Sequence, residues 1–186
     1  MAATIEVKHL KKYFNTPAGK LHAVDDVSFS IEKGKTIGVV GESGCGKSTL
    51  GRTIIHLLES TDGQIFLDGE DITKLNRHQL KKAREKMQII FQDPFSSLNP
   101  RMTVEEIVRE PLVLSKRFSK NEIDREAERL MELVGIEPRL WASYPHELDG
   151  GRRQRVGIAR AIALKPEFIV CDEPVSAWTC PSRPRF

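Results

Sequence analysis

Cysteine is scarce, long apolar runs are missing, and neither sign of charge is in large excess in this 186-residue sequence. The three cysteines, Cys45, Cys171 and Cys180, lie far apart, without the close spacing that a zinc site or a disulfide framework needs, which fits a reducing compartment. The opening MAATIEVKHLKKYF has no apolar core of signal-peptide length, and no segment approaches a membrane span, so a cytoplasmic chain is expected. Any service to a membrane then runs through partners. The 29 basic and 26 acidic residues leave a net charge of +3 that is spread along the chain rather than gathered into a stripe. No nucleic acid is expected as partner, because binding to phosphate backbones calls for clustered basic side chains. There is no internal repeat and no low-complexity segment. A composition of 39% hydrophobic and 30% charged residues instead describes a globular chain with a core of ordinary size.

What is present is an ordered alternation of strand and helix patterns. Two alternating stretches, TIEVKHL and AVDDVSFSIEKG, flank the turn-like NTPAGK and predict antiparallel strands. KTIGVVGESGCGKSTLGRTIIHLL then reads as a strand, a glycine-rich loop and a helix. GQIFLDGEDI returns to strand, and RHQLKKAREKM predicts a charged helix that leads into the apolar strand QIIF. From Thr103 to about Leu164 the pattern is mostly helical, with Pro111, Pro138 and Pro145 as punctuation. A last helix, RRQRVGIARAIAL, precedes FIVCD, which reads as a buried strand. The fold class predicted is α/β: a parallel-sheet core with an N-terminal antiparallel β subdomain and an inserted helical subdomain.

GESGCGKS has two glycines separated by four residues and followed by Lys and Ser, set between a strand and a helix. That is the pattern of a phosphate loop. Gly41, Glu42, Ser43, Gly44, Cys45 and Gly46 would curl so that backbone N–H groups face phosphate oxygens, aided by the helix N-terminus. Lys47 would bridge the β- and γ-phosphates, Ser48 would ligate Mg²⁺, and Thr49 would donate to the α-phosphate. The plain alternative is a glycine-rich turn without chemistry, against which the strand–loop–helix context argues. FIVCDE supplies the acids: Asp172 fits an outer Mg²⁺ ligand, and Glu173 fits the carboxylate that polarises an attacking water.

Gln92 in IIFQDPFSSLNPRMTV, the stretch YPHELDGGRRQRVGIARAIAL and CDEPVSA complete a pattern that resembles the nucleotide-binding subunit of an ATP-binding cassette (ABC) transporter. The resemblance runs over residues 4–177 and is nearest to the oligopeptide, dipeptide and nickel importer group. It implies a P-loop NTPase core, with ATP and Mg²⁺ as cofactors. Tyr13 would stack on adenine, or else simply pack in the core. Gln92 would sense the Mg²⁺ and the water, joining Ser48 and Asp172 at the metal. The implied partners are a second ABC ATPase subunit, identical or not, two integral membrane permease subunits and, indirectly, an extracytoplasmic solute-binding protein. The implied place is the cytoplasmic face of the cell membrane, and the implied function couples ATP hydrolysis to uptake of peptides, or of nickel and related solutes. A different class, a nucleotide-binding fragment with no transport role, stays open.

Two departures from the family pattern carry expectations of their own. Where relatives have Leu-Ser-Gly-Gly-Gln, the segment that grips an ATP bound to the opposing subunit, this chain has Leu148, Asp149, Gly150, Gly151 and Arg152. An ionised Asp149 cannot donate to phosphate and repels it unless Arg152 or Arg153 compensates; alternatively it is a plain helix cap. After VSA, relatives continue with Leu-Asp, whereas Trp178 and Thr179 follow here. Loss of one base from a family-like coding sequence reproduces Trp178 to Phe186 and a stop. Residues 1–177 are therefore expected to form an incomplete ABC ATPase domain, its helical subdomain at about 95–155, with 178–186 an out-of-frame tail. The C-terminal part of the core and the family's switch histidine would then be missing. ATP binding is expected to survive better than turnover.

Overall fold

The computed structural model describes residues 3–17 and 19–173, and the chain divides into two units, Met1–Gln88 and Ile89–Phe186. The expected out-of-frame tail lies outside the described residues.

The first unit is built on two long strands, β1 (Ala3–Thr16) and β2 (Gly19–Glu32), paired antiparallel as their alternating patterns predict. β3 (Asp62–Leu67) and β4 (Glu70–Asp71) complete a four-stranded antiparallel sheet in the order β2-β1-β3-β4. Period-two spacing puts Ile5 and Val7 of β1 beside Ile65 and Leu67 of β3, and all four are buried. The alternation then slips, because the next buried residue is Leu10. A register shift between Val7 and Leu10, with His9 at φ 49, absorbs the extra residue and returns the apolar side chains to the core face. Gly63 sits against this bulge, where a Cβ would come within 2.5 Å of the His9 carbonyl oxygen. Helix α1 (Lys47–Ile54) buries Leu50, Thr53 and Ile54. Helix α2 (Arg77–Lys86) starts where Asn76 accepts from the N–H groups of His78 and Gln79, while the Gln79 side chain accepts from the Asn76 N–H.

One predicted strand of this unit does not form. Residues 35–40, with the β-branched and apolar spacing of a strand, adopt no regular structure, and Ile37, Val39 and Val40 are 43, 50 and 92% exposed. Strand propensity is realised only through a hydrogen-bonded neighbour, and no strand among the described residues pairs with this segment.

In the second unit, the division falls within β5 (Met87–Ile90), which pairs with β6 (Phe168–Cys171) in a two-stranded sheet. Expected to be buried, β6 is only half-buried, with Cys171 exposed, because β5 is its one neighbour among the described residues. The helical block between them holds α3 (Pro94–Ser97), α4 (Val104–Ser115), α5 (Lys120–Leu133) and α6 (Gly150–Ile162). Thr103 and Glu106 form reciprocal cap bonds at α4, and the Glu122 carboxylate reaches back to Ser119 at α5. Short 3-10 helices begin at Pro138 and Pro145, as punctuation predicts. Pro111 does not interrupt its helix. It lies inside α4, where burial of Val104, Ile107, Val108 and Leu112 outweighs the hydrogen bond that proline cannot donate. The core packs Val108 and Leu112 of α4 against Leu130 and Met131 of α5 and Val156 and Ala159 of α6.

Candidate functional site

The glycine-rich segment forms a tight loop in the first unit that ends on α1. Gly46 caps that helix at φ 97, and a Cβ there would lie 2.0 Å from the Ala23 carbonyl oxygen of β2. Only glycine allows both the left-handed backbone and so close an approach to the strand. The first turn of α1 has no acidic residue and no side-chain cap, so nothing negative competes there for the helix dipole. Lys47 folds over its own loop, donating from Nζ to the carbonyls of Gly41 at 2.8 Å and Glu42 at 2.7 Å. Cys45 presents a free, exposed thiol whose Sγ is 3.8 Å from the same ammonium. Glu42, Ser43 and Gly44 are exposed, while Ser48 and Thr49 are half-buried in the first turn. An uncapped helix start, a cation and a curled backbone are what a polyphosphate anion requires, so this chain's residues fit ATP.

Tyr13 stands on β1 of the same unit, half-buried. Its ring stacks on His22 and its hydroxyl donates to Asp25, so it is neither a core residue nor a loose one. Spacing along one strand did not point to His22 or Asp25, which reach Tyr13 from the neighbouring strand.

The second unit gathers the acids at the ends of β5 and β6. The Asp172 N–H donates to the Ile90 carbonyl at 2.9 Å, which extends the strand pairing by one step and places Asp172, buried, at its end. Gln92 follows β5, and its Nε2 donates to Glu173 Oε2 at 2.6 Å. Glu173 takes φ 47, a costly left-handed backbone for a residue with a Cβ. Such strain is tolerated where function demands a particular side-chain direction. Oxygen donors from Asp172 and Gln92 suit a hard cation such as Mg²⁺. Among the described residues, no group of three or more His, Cys, Asp and Glu could hold a metal ion by itself.

Asp149, Gly150, Gly151 and Arg152 open α6. Asp149 is the N-cap, accepting from the Arg152 N–H at 2.8 Å, and its second oxygen accepts from Arg152 Nη1 at 2.6 Å. The backbone bond from Arg152 is the main reason its carboxyl stays below the usual range, with the Arg152 guanidinium adding to it. Glu137 lies 3.6 Å from the same guanidinium, a neighbour that spacing did not reveal. Asp149 is therefore a helix cap, and the arginine paired with its carboxylate is Arg152. Arg153 turns elsewhere, donating from Nε to the Pro145 carbonyl and lying over the Phe95 ring.

The chain as a whole is similar to known proteins. The profile of the ABC transporter family matches residues 24–176. The oligopeptide transport ATP-binding protein OppF of Bacillus subtilis is 53% identical over 175 residues, covering 93% of this chain and 57% of the relative. AppF of the same organism, also an oligopeptide transport ATP-binding protein, is 49% identical over 181 residues, covering 93% of this chain and 55% of AppF. This chain thus spans little more than half the length of these curated relatives. Among solved structures, the dimeric ATP-binding cassette MJ0796 bound to ADP and Pi superposes with a TM-score of 0.86 at 31% identity, over 93% of this chain and 75% of that one. CbiO1 of Clostridium perfringens, part of an ABC transporter complex, gives 0.79 at 28% identity, over 95% and 68%. With the phosphate loop, the Gln92–Glu173 pair and the α6 cap all inside the matched span, the chain belongs to the ATP-binding cassette transporter family.

Proposed function

We propose that this chain is the ATP-binding part of a peptide importer, binding ATP with Mg²⁺ and hydrolysing it to drive uptake. The observation that carries the reading is the 2.6 Å bond between Gln92 and Glu173, made beside the buried Asp172 in a chain that also has a built phosphate loop. Residues 41–49 hold the polyphosphate, with Lys47 facing its terminal charge. Ser48, Gln92 and Asp172 would hold the Mg²⁺, which supplies charge neutralisation during phosphoryl transfer. Glu173, oriented by Gln92, takes up the proton of the attacking water. Peptide as cargo is supported by the oligopeptide transport names of OppF and AppF. A second ABC ATPase subunit, two membrane permease subunits and a solute-binding protein are the proposed partners. Attachment at the cytoplasmic face through those permeases is part of the proposal; no helix among the described residues is long and apolar enough to cross a membrane.

The test separates binding from turnover. Changing Glu173→Gln is expected to leave ATP affinity within a few-fold and to cut phosphate release about 10²–10⁴-fold. Unaltered hydrolysis would remove Glu173 from the chemistry. For cargo, disrupting the gene is expected to stop uptake of labelled oligopeptide and leave nickel uptake intact.

One observation favours a second reading, nucleotide binding with weak turnover. The ionised Asp149 occupies the start of α6, where relatives grip the ATP of the opposing subunit. In a Glu173→Gln background that retains ATP, Asp149→Ser is expected to raise the fraction of ATP-dependent dimer, because a donor replaces a repelling charge. An unchanged fraction would mean that Arg152 already neutralises the carboxylate.

A further inference from the structure

Tyr13 and His22 are cross-strand partners on β1 and β2, so their side chains leave the sheet on the same face. Their rings stack with centroids 3.9 Å apart and planes 17° from parallel. One carboxylate serves both: the Tyr13 hydroxyl donates to Asp25 Oδ1, and His22 Nδ1 lies 3.4 Å from Asp25 Oδ2. The bond to Asp25 is also the main reason the phenol is pushed up to about 12, so its proton stays in place to donate. On the other flank, the Tyr13 N–H donates to Thr61 Oγ1 at 2.9 Å, just past the last β1–β3 pair at Lys11 and Asp62. The ring is therefore fixed in plane by His22 and in tilt by Asp25. Among the described residues, His22 is the one ring stacked on Tyr13.

Stability does not account for this arrangement. His22 and Asp25 are 49% and 54% exposed, and a solvated pair of that kind contributes little to folding. A platform held still before its ligand arrives, in contrast, loses little freedom on stacking. We infer that His22 and Asp25 are positioning residues that hold the ring of Tyr13 in place for the purine of a nucleoside triphosphate, an inference that rests on the nucleotide-binding reading above.

Titration calorimetry with Mg-ATP and with inorganic tripolyphosphate separates base from phosphate. His22→Ala is expected to weaken ATP binding about 2- to 10-fold and to leave tripolyphosphate binding unchanged. His22→Phe, which keeps a flat ring on Tyr13, is expected to retain ATP affinity. If His22→Ala binds ATP as the unmodified chain does while Tyr13→Ala binds it weakly, the platform stands but the positioning role is wrong. If both ligands weaken together, the effect is not on the base and the inference falls. If Tyr13→Ala has no effect on ATP, the platform itself is refuted. Failure of the unmodified chain to bind either ligand would refute the nucleotide-binding reading, and this inference with it.

Discussion

Lys47→Ala is expected to remove ATP binding at working concentrations while leaving the fold intact. The ammonium makes its two short bonds to carbonyls of its own loop, at Gly41 and Glu42, so the rest of the first unit does not depend on it. Phosphate oxygens, as anionic acceptors, would draw those donors away from neutral carbonyls. A hydrogen bond to a charged group contributes about 1.5–3 kcal/mol, and two of them about 3–6 kcal/mol. The affinity for ATP should therefore fall by about 10²–10⁴-fold. Tripolyphosphate should weaken by a similar factor, because the loss lies at the phosphates and not at the base. Retained affinity for both ligands would show that the loop does not bind phosphate through Lys47.

A second large effect is expected in the helical block. Leu130 is fully buried in α5 among Val108, Leu112, Met131 and Val156, whereas Leu133, one turn further on, is 62% exposed. Truncation of a buried leucine loses its transfer free energy and leaves a cavity that close-packed neighbours only partly fill. Leu130→Ala should cost about 2–5 kcal/mol, a large share of the stability of any domain. Leu133→Ala, the same change on the exposed face, should stay within about 0.5 kcal/mol. Urea unfolding of the two variants checks this, and equal losses would mean that the buried face of α5 is wrongly identified.

Much of the local structure was legible in the linear order of residues. A phosphate loop is a contiguous device, so GESGCGKS declares its own geometry, and the helix after it follows from 3.6-residue periodicity. The cap pairs at Thr103–Glu106 and Asn76–Gln79 are likewise three residues apart, within reach of local spacing alone. Asp149 shows where local reading stops. Its identity marked a departure from the family pattern and its cap bond spans the same three residues, but Glu137, the second carboxylate beside the Arg152 guanidinium, was visible only in the fold.

The amino-acid sequence by itself determined most of the strands and helices and the family, and it named the residues proposed to meet phosphate, metal and water, because these signals rest on neighbours a few positions apart. Tertiary structure alone decided which strand patterns found a partner. Residues 35–40 have the same apolar, β-branched character as β6, yet only β6 acquired a neighbour, β5, and with it a ladder of hydrogen bonds. It likewise brought Gln92 to Glu173 across 81 positions, and His22 and Asp25 to Tyr13 across a strand pair. The physical reason is common to all of these. Propensity acts through covalent neighbours, whereas sheet pairing and shared hydrogen bonds depend on residues that only folding makes adjacent.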